Sequence, residues 1–307
     1  MRVLAVVGPT AVGKSSLAVR LAKKYNGEII SCDSMQIYRG MDIGTAKITE
    51  KETEGIPHHL IDILDPWEEF SCADYAILAK KTVDDIVSRG KTPIFCGGTG
   101  LYLDSVLEIS SFGTVYADEE YRHSLEEIAR EKGNEALHGM LRDIDPESAD
   151  TIHFNNVKRV IRALEIYKCA GKPKSKIDKE NKAVRPPYDS TVFFLTCEDK
   201  ELLYSRIEKR VDIMMESGLL DEARRLYDSG VFERSKTASA AIGYKELLPY
   251  LRGEEPLDAC VAQLKLSTRH YAKRQLTWFK KKSGYITVYT DKVDPFYEAV
   301  GVIGEIL

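Results

Sequence analysis

The clearest chemical signature in the sequence is a short loop near the amino terminus. The segment "GPTAVGKS" matches the pattern GxxxxGK[ST], and it stands between a strand-like apolar run and a run with helical spacing. The backbone N–H groups of such a loop bind phosphate oxygens, the lysine adds a positive charge and the serine can hold Mg²⁺. We therefore predict a di- or triphosphate site, with Ser15 as the Mg²⁺ ligand, formed by Gly8, Pro9, Thr10, Ala11, Val12, Gly13, Lys14 and Ser15.

A single carboxylate follows the next apolar run. Residues 28–32 are typical of a buried strand, and Asp33 comes directly after them. Aspartate is also a common turn and N-cap residue, so this stretch alone assigns no chemistry. In a parallel sheet, however, the carboxyl ends of the strands share one edge, where ligands bind. Asp33 is therefore predicted to lie across from the phosphate loop, where it could orient an acceptor and take its proton.

In this sequence, the strand that would end in a metal-binding aspartate in a phosphate-loop hydrolase is followed by glycines. Phosphate-loop hydrolases usually carry an apolar strand that ends in a metal-holding aspartate. The candidate strand, residues 92–96, is followed by "GGTG" instead, which places Thr99 at the same sheet edge. The loop is therefore predicted to hold its diphosphate or triphosphate as a donor or leaving group.

Two other pairs of residues allow a functional interpretation beside a structural one. Arg206 and Arg210 are four residues apart, so they share a helix face. They are either a surface pair or a lid that neutralises charge on a departing phosphate. His58 and His59 have no third metal ligand at a suitable spacing, and a structural role at a strand edge is favoured.

The order of the elements predicts an α/β fold. Strand-like and helix-like runs alternate through the first third of the chain, which implies a parallel sheet with helices on both faces, as in P-loop NTPases. Only helical patterns occur from residue 118 to about 182, and strand signals return at residues 191–197. We predict a catalytic core at residues 1–115 and 188–307 and an all-helical insertion domain at residues 116–187.

Charge is unevenly distributed along the chain. The formal net charge is only −4, yet residues 151–187 contain ten basic and three acidic side chains, against four and eleven in residues 115–150. Residues 259–284 contain seven lysines and arginines and no acid. Basic tracts are often solvated helix faces, but two of them in a chain that is acidic overall favour a nucleic-acid partner.

Composition argues against several classes of protein. A chain of 307 residues with 43% hydrophobic and 30% charged residues is ordinary for a globular protein with a sizeable core. Its six cysteines form no CxxC pair, so neither a zinc site nor a disulfide framework is indicated. The first residues do not resemble a signal peptide, and no apolar run approaches the ~20 residues that span a bilayer. We expect a cytoplasmic protein with no membrane contact.

Together these motifs resemble the tRNA dimethylallyltransferase family, the isopentenyltransferases that modify tRNA. The combination is specific, although the phosphate loop alone is not. The matching motifs occur in order over nearly the whole chain: "GPTAVGKS", "SCDSMQIYRGMDIGTAK" (31–47), "PHHLIDI" (57–63), "GGTGLY" (97–102), "NNVKRVIRALE" (155–165), "AIGYKE" (241–246) and "AKRQLTWF" (272–279). Residues 154–156 depart from the family's usual Pro-Asn-Asp, so the cap of that helix is expected to differ.

The resemblance implies a reaction and its partners. A dimethylallyl group moves from dimethylallyl diphosphate to N6 of the adenosine at tRNA position 37, beside the anticodon, and diphosphate leaves. The diphosphate binds in the phosphate loop with Mg²⁺, and the tRNA anticodon stem-loop presents the flipped adenosine from the other side of a channel. An exocyclic adenine amine is a poor nucleophile, and a carboxylate that accepts its N–H bond would activate it. No obligate protein partner is implied.

The resemblance also implies roles for single residues. The catalytic residues are Asp33 as the base and Lys14 and Arg210 at the diphosphate. The residues that contact tRNA are Asp33, Ser34, Met35, Gln36, Thr99, Arg122, Lys158, Arg159 and Arg162. In addition, Cys32, Met35 and Ile37 stand near Asp33 and could line an apolar slot for the dimethylallyl tail, or belong to the core.

Two other functions stay open on the residues alone. A small-molecule or nucleoside kinase shares the loop, Asp33 and the paired arginines, but needs neither basic tracts nor a helical insertion. A non-enzymatic, nucleotide-switched RNA-binding module fits the missing metal-holding aspartate, but gives Asp33 no purpose. The resemblance favours the transferase, and ATP in the loop would then compete with the prenyl donor without reacting.

Overall fold

The computed structural model describes residues 1–108, 118–182 and 186–306, which belong to two compact units. One unit comprises Met1–Val106 and Tyr188–Leu307, and the other comprises Leu107–Pro187. The first boundary predicted from the sequence, between residues 115 and 116, lies outside the described residues.

The larger unit is built on one six-stranded sheet. Its strands are β1 (Arg2–Val7), β2 (Gly27–Ser31), β3 (His58–His59), β4 (Thr92–Gly97), β5 (Asp189–Thr196) and β6 (Ile286–Tyr289). They are ordered β3-β2-β4-β1-β5-β6, and all neighbours pair in parallel. The loops that follow β1, β2 and β4 therefore emerge side by side at the carboxyl edge of the sheet. The parallel α/β fold predicted from the sequence is confirmed.

Helices form most of the rest of the described chain. In chain order they are α1 (Lys14–Lys24), α2 (Glu50–Thr53), α3 (Cys72–Ser88), α4 (Gly100–Leu107), α5 (Glu119–Lys132), α6 (Asn134–Ile144), α7 (Pro146–Thr151), α8 (Val157–Ala170), α9 (Lys174–Lys182), α10 (Lys200–Glu216), α11 (Leu219–Asp228), α12 (Val231–Arg234), α13 (Lys236–Ser239), α14 (Leu248–Leu251), α15 (Leu257–Phe279) and α16 (Pro295–Ile306). Within the described ranges, no helix combines the length and the apolar character that crossing a membrane requires.

Alternation along the strands explains how the sheet is covered. Leu4 and Val6 of β1 and Phe193 of β5 are buried in one cluster with side chains of α1 and α16. The next residue, Phe194, points to the opposite face, where its ring packs 5.7 Å from that of Phe279 of α15. Helices therefore cover both faces of the sheet, as the alternating sequence pattern predicts.

The smaller unit has its own hydrophobic core. Leu125 of α5, Leu137 and Leu141 of α6, and Val160 and Leu164 of α8 are all buried in one cluster. The described residues between 118 and 182 contain helices and no strand. The all-helical character expected for this segment is thus present, with its own apolar centre.

A buried glutamate fixes the segment between β2 and α2. Glu222 of α11 is only 2% exposed, and its carboxylate accepts the backbone N–H groups of Asp42 (3.1 Å), Ile43 (3.0 Å) and Gly44 (2.9 Å). The phenol of Tyr244 donates to the same carboxylate at 2.7 Å. A Cβ atom on Gly44 would lie 2.5 Å from the Tyr244 ring, so only glycine fits there. The motifs at 31–47 and 241–246 are therefore joined by direct packing.

Replacing Glu222 with glutamine tests this anchor. An amide has one acceptor oxygen in place of two, so buried N–H groups would lose their partner at about 1–3 kcal/mol each. We expect the free energy of unfolding, measured by urea denaturation, to fall by about 3 kcal/mol. Asp228→Asn, at an exposed position of the same helix, is the matched control and should stay within about 0.5 kcal/mol of the parent. Equal unfolding free energies for the two variants would contradict the anchoring role.

Candidate active site at the carboxyl edge of the sheet

The phosphate loop connects β1 to α1, as the motif predicts. Gly8 has a φ of 145°, and a Cβ atom there would lie 2.2 Å from the carbonyl oxygen of Leu195, so β5 excludes a side chain. Ala11 (φ 65°) and Gly13 (φ 86°) both adopt left-handed conformations. Such turns direct backbone N–H groups into a concave, anion-binding loop. Gly13 is also the N-cap of α1, whose positive dipole end adds to the attraction for an anion.

Lys14 lies inside this loop. Its Nζ donates to the carbonyl oxygen of Pro9 at 2.7 Å. Burial lowers the pKa of Lys14 to about 8; the positive charge of Arg210 acts in the same direction, while Cys96 and Asp33 oppose the shift. The lysine therefore carries its full charge only below about pH 8.

Asp33 lies two residues beyond the end of β2. Its Oδ1 accepts the backbone N–H of Met35 at 2.9 Å. Burial raises the pKa of Asp33, and the N–H groups of Met35 and Gln36 together with the charges of Lys14 and Arg210 oppose the rise. The structure thus brings together the three side chains that the sequence predicts as catalytic. The raised pKa makes Asp33 a better proton acceptor than an ordinary carboxylate.

The two arginines of α10 have different surroundings, although they share a helix. Arg210 donates to the Thr10 hydroxyl in the phosphate loop at 3.3 Å, and burial lowers its pKa despite the charges of Asp33 and Glu52. Arg206 instead donates to the sulfur of Cys197 and to the hydroxyl of Thr290. Only Arg210 therefore reaches the centre of the candidate site. Arg206 lines a cavity of about 310 Å³ whose wall also includes Ala11, Val12 and Gly13 of the loop.

Thr99 follows β4 at the same edge and is tied to the Asp33 segment. Its hydroxyl oxygen accepts the backbone N–H of Ser34 at 3.2 Å and lies 3.4 Å from the Ser34 hydroxyl. Its own backbone N–H donates to the carbonyl of Cys32 at 3.0 Å. Thr99 and Ser34, both predicted to contact tRNA, are therefore neighbours of Asp33 and of each other.

Two residues of α15 connect these loops, although the sequence motifs assigned neither of them a role in the site. The buried Gln275 accepts the backbone N–H of Thr10 and donates to the carbonyl of Gly98, both at 3.0 Å. A Cβ atom on Gly98 would lie 2.0 Å from the Gln275 amide nitrogen. One turn earlier, the Tyr271 phenol hydrogen-bonds with Thr99, and burial and the Asp33 charge raise its pKa. Tyr271 and Gln275 are four residues apart, so the sequence places them on one face of the helix. The seven cations of residues 259–284 pointed to a nucleic-acid surface instead.

Most of the residues that could line an apolar slot for the dimethylallyl tail are buried in the core. Cys32 and Ile37 are each 1% exposed and belong to the core, so of the three slot residues only Met35 is partly exposed. The side-chain amide of Gln36 donates to the carbonyls of Thr45 and Ala46, both at 3.2 Å. Gln36 therefore holds the following loop in place.

In the smaller unit, two of the predicted RNA-binding cations surround a buried carboxylate. Glu165 is inaccessible to solvent, and its Oε1 lies 2.9 Å from Nε of Arg122. Arg162 forms an ion pair with the same glutamate. Lys158 and Arg159 are exposed at the start of α8. The N-cap of that helix, Asn156, makes no side-chain capping bond.

The basic tract at residues 259–284, which comprises most of α15 and the residues directly after it, is partly neutralised within the protein. Lys265 pairs with Asp212 (2.6 Å), Arg269 with Glu208 (3.1 Å) and Lys282 with Asp104 (2.7 Å). The exposed cations of the tract are Lys273, Arg274, Lys280 and Lys281. Its net charge is thus a poor guide to the charge available for RNA.

The paired histidines are engaged in structural contacts. His59 Nε2 lies 2.7 Å from Glu28, which also binds Arg89 and Lys91, and His58 Nδ1 contacts the carbonyl of Ile56 at 2.8 Å. Among the described residues, no group of three or more His, Cys, Asp or Glu side chains is arranged to hold a metal ion. A cation in the candidate site would therefore depend on hydroxyl oxygens and on oxygens of a ligand.

The lowered pKa of Lys14 predicts how diphosphate affinity depends on pH. The lysine is charged below its pKa of about 8 and becomes neutral as the pH rises through that value, so attraction for an anion is lost on the alkaline side. We expect the association constant for inorganic diphosphate, measured by calorimetry, to fall about tenfold from pH 7 to pH 9 relative to Lys14→Met. The methionine variant reports the ionisation of the diphosphate itself. A constant ratio of the two association constants would contradict the assignment.

Comparisons with known proteins show which family the chain belongs to. The model of the IPP transferase family matches residues 36–282, and that of the isopentenyl transferases matches residues 1–65. The tRNA dimethylallyltransferase of Bacillus velezensis is 53% identical over 280 residues, which cover 91% of this chain and 88% of that protein. The full-length tRNA isopentenylpyrophosphate transferase from Bacillus halodurans has a TM-score of 0.73 at 47% identity, covering 99% of this chain and 95% of that one. A eukaryotic dimethylallyltransferase acting on tRNA has a TM-score of 0.82 at 31% identity, covering 98% and 77%. The chain belongs to the IPP transferase family.

Proposed function

We propose that this protein transfers a dimethylallyl group from dimethylallyl diphosphate to tRNA, at N6 of adenosine 37 beside the anticodon, and releases diphosphate. The observation that carries the proposal is the meeting of an anion-binding loop, Lys14 and Arg210 with a carboxylate of raised pKa, Asp33. Relatives named tRNA dimethylallyltransferase, and a structural neighbour that acts on tRNA, support prenylation of tRNA as the reaction.

The phosphate loop accounts for the departure of diphosphate. Negative charge grows on the bridging oxygen as its bond to the first carbon of the dimethylallyl group breaks. The loop N–H groups, the end of α1 and the charges of Lys14 and Arg210 are proposed to surround this oxygen, and hydrogen bonds to the loop already hold both cations. Donors and charges that are in place before the reaction stabilise a developing anion most strongly.

Asp33 accounts for activation of the acceptor. The adenine N6 lone pair is delocalised into the ring, so the amine is a poor nucleophile. A carboxylate that accepts a hydrogen bond from one N–H of this amine favours localisation of the lone pair on the nitrogen. It then takes the proton as the new C–N bond forms. The bond between carbon and oxygen breaks at the same carbon, and its electron pair leaves with the diphosphate. Each group has one role, and no further reactant is needed.

Mg²⁺ is the proposed cofactor. The exposed Ser15 offers an oxygen donor in the loop, and Mg²⁺ prefers oxygen ligands, few of them from the protein and the others from phosphates and water. A bound Mg²⁺ would neutralise part of the diphosphate charge. The Ser15 hydroxyl is also a hydrogen-bond partner of the Cys96 thiol, whose pKa is raised to about 11 by burial, so a neutral thiol stands beside this ligand.

The tRNA is proposed to bind through its anticodon stem-loop. Thr99 and Ser34, which are hydrogen-bonded to each other beside Asp33, are the proposed contacts of the acceptor nucleotide. Lys158 and Arg159 on α8 and the exposed cations of α15 are the candidates for phosphate contacts. Phosphate contacts of this kind make affinity depend strongly on salt.

A donor-labelling experiment decides between a prenyltransferase and a kinase. Unmodified tRNA and Mg²⁺ are offered with labelled dimethylallyl diphosphate or with labelled ATP, and label is followed into RNA. We expect label from the prenyl donor alone, with ATP acting as a competitive inhibitor. Phosphoryl transfer to RNA or to a small acceptor at a comparable rate would replace the proposal with a kinase. Transfer from neither donor would favour the nucleotide-switched module.

Removing the carboxylate tests the role of Asp33. We expect Asp33→Ala to lower the single-turnover rate by roughly 10²- to 10⁴-fold, the usual cost of losing a positioned base, while tRNA affinity by filter binding stays near that of the parent. In the parent, protonation of Asp33 should lower kcat/KM on the acid side of the pH profile, because its raised pKa moves that limb upward. A variant that keeps more than about half the rate would rule out the base.

A further inference from the structure

A series of aromatic side chains connects the segment around Asp33 with the surface segment 67–70. The phenol of Tyr75 donates to the carbonyl of Ser31 at 2.9 Å and lies 3.0 Å from the sulfur of Cys32, the residue before Asp33. The ring of Tyr75 stacks on that of Tyr102, with 4.0 Å between the ring centres. The ring of Phe70 lies 6.5 Å from that of Tyr102, edge to face. The surface segment 67–70 is therefore close to the Asp33 end of the candidate site.

That segment carries an exposed tryptophan with a fixed arginine beside it. Trp67 is 47% exposed, and the guanidinium carbon of Arg234 lies 4.9 Å from the centre of its ring. The guanidinium is held by the backbone, since its Nη2 donates to the carbonyl of Ser229 at 2.8 Å and its Nε to that of Gly230 at 3.2 Å. A large flat ring and a planar cation are thus presented to solvent in a set geometry.

We propose that Trp67 and Arg234 bind an unpaired nucleobase of the RNA acceptor, adjacent to the adenosine that enters the site. The inference rests on the proposed function. An acceptor that displaces diphosphate must approach the reacting carbon from the side opposite the leaving group. The segment that carries Trp67 is joined to the end of β2, next to Asp33, through Phe70, Tyr102 and Tyr75. Unpaired RNA bases splayed out of their stack are typically bound on aromatic rings and on guanidinium planes.

The charges around Trp67 favour a base over the RNA backbone. Glu68 and Glu69 follow the tryptophan directly, and carboxylates there would repel a phosphate group. A nucleobase carries no charge and has a π-face that either the indole or the guanidinium can cover. The pair is therefore proposed to discriminate between anticodon loops by the base that stacks there.

Kinetics with an anticodon stem-loop hairpin test the proposal. We expect Trp67→Ala to raise KM for the hairpin by roughly 5- to 150-fold, the range for loss of one stacked base, with kcat and KM for dimethylallyl diphosphate within about twofold. Trp67→Phe should recover most of the KM because a smaller ring can still stack. Tyr297→Ala is the matched control, since Tyr297 is an aromatic residue 71% exposed, 5.9 Å from Arg20.

Fluorescence supplies a second measurement. The sequence has only two tryptophans, and Trp278 is partly buried with its Nε1 donating to Asp104 at 3.1 Å. Base stacking on Trp67 should quench the emission that Trp67→Phe removes, on addition of hairpin but not of dimethylallyl diphosphate. An unchanged KM for Trp67→Ala, or no quenching at saturating hairpin, overturns the nucleobase site while prenyl transfer by the parent still stands. Absence of transfer by the parent would instead reject the proposed function.

Discussion

Three charged side chains, those of Lys14, Asp33 and Arg210, are partly removed from water at one edge of the sheet, and the rest of the structure depends on this constraint. Lys14 loses hydration and its pKa falls, Asp33 loses hydration and its pKa rises, and each opposes the shift of the other. A lone ion in such a place would become neutral, so the groups keep their charges only while they stay together. They come from loops after β1 and β2 and from α10, and the fold must hold three separate segments in register.

Helix α15 meets this requirement from outside the sheet. Gln275 donates to one loop and accepts from the other, so the phosphate loop and the "GGTG" loop cannot separate without breaking a buried hydrogen bond. Tyr271 adds a bond to Thr99, which in turn holds the Asp33 segment through Ser34. Glu222 acts in the same way further along that segment, by accepting three consecutive N–H groups. Hydrogen bonds from side chains distant in sequence therefore hold the loops in fixed positions, as strand pairing holds the strands of the sheet.

Some features could be predicted from the sequence and others could not. The difference is whether the interacting residues are near or far apart in the sequence. The phosphate loop, the Asp33 position and the parallel sheet depend on local patterns, since a loop motif, apolar alternation and strand–helix order are all read within a few residues. Gln275 and Glu222 act on partners 265 and about 180 residues away, and no local pattern reports such pairs. The same limit hid which cations are paired: Lys265 and Arg269 look like solvent-exposed charges until Asp212 and Glu208 of α10 face them. From the sequence, Cys32 and Ile37 could line the slot for the dimethylallyl tail, but in the structure neighbouring side chains bury both of them.

The internal ion pairs change how affinity for RNA should be understood. A tract of seven cations suggests strong, non-specific attraction, but three of them already neutralise acids of the protein, and the formal net charge of the chain is −4. In the smaller unit, Glu165 holds two of the arginines in the same way. Cations fixed by a carboxylate gain a set direction and lose part of their long-range field. Binding that depends less on total charge must depend more on shape and on single contacts, and this is the regime in which one stacked base or one hydroxyl can decide which RNA loop is accepted.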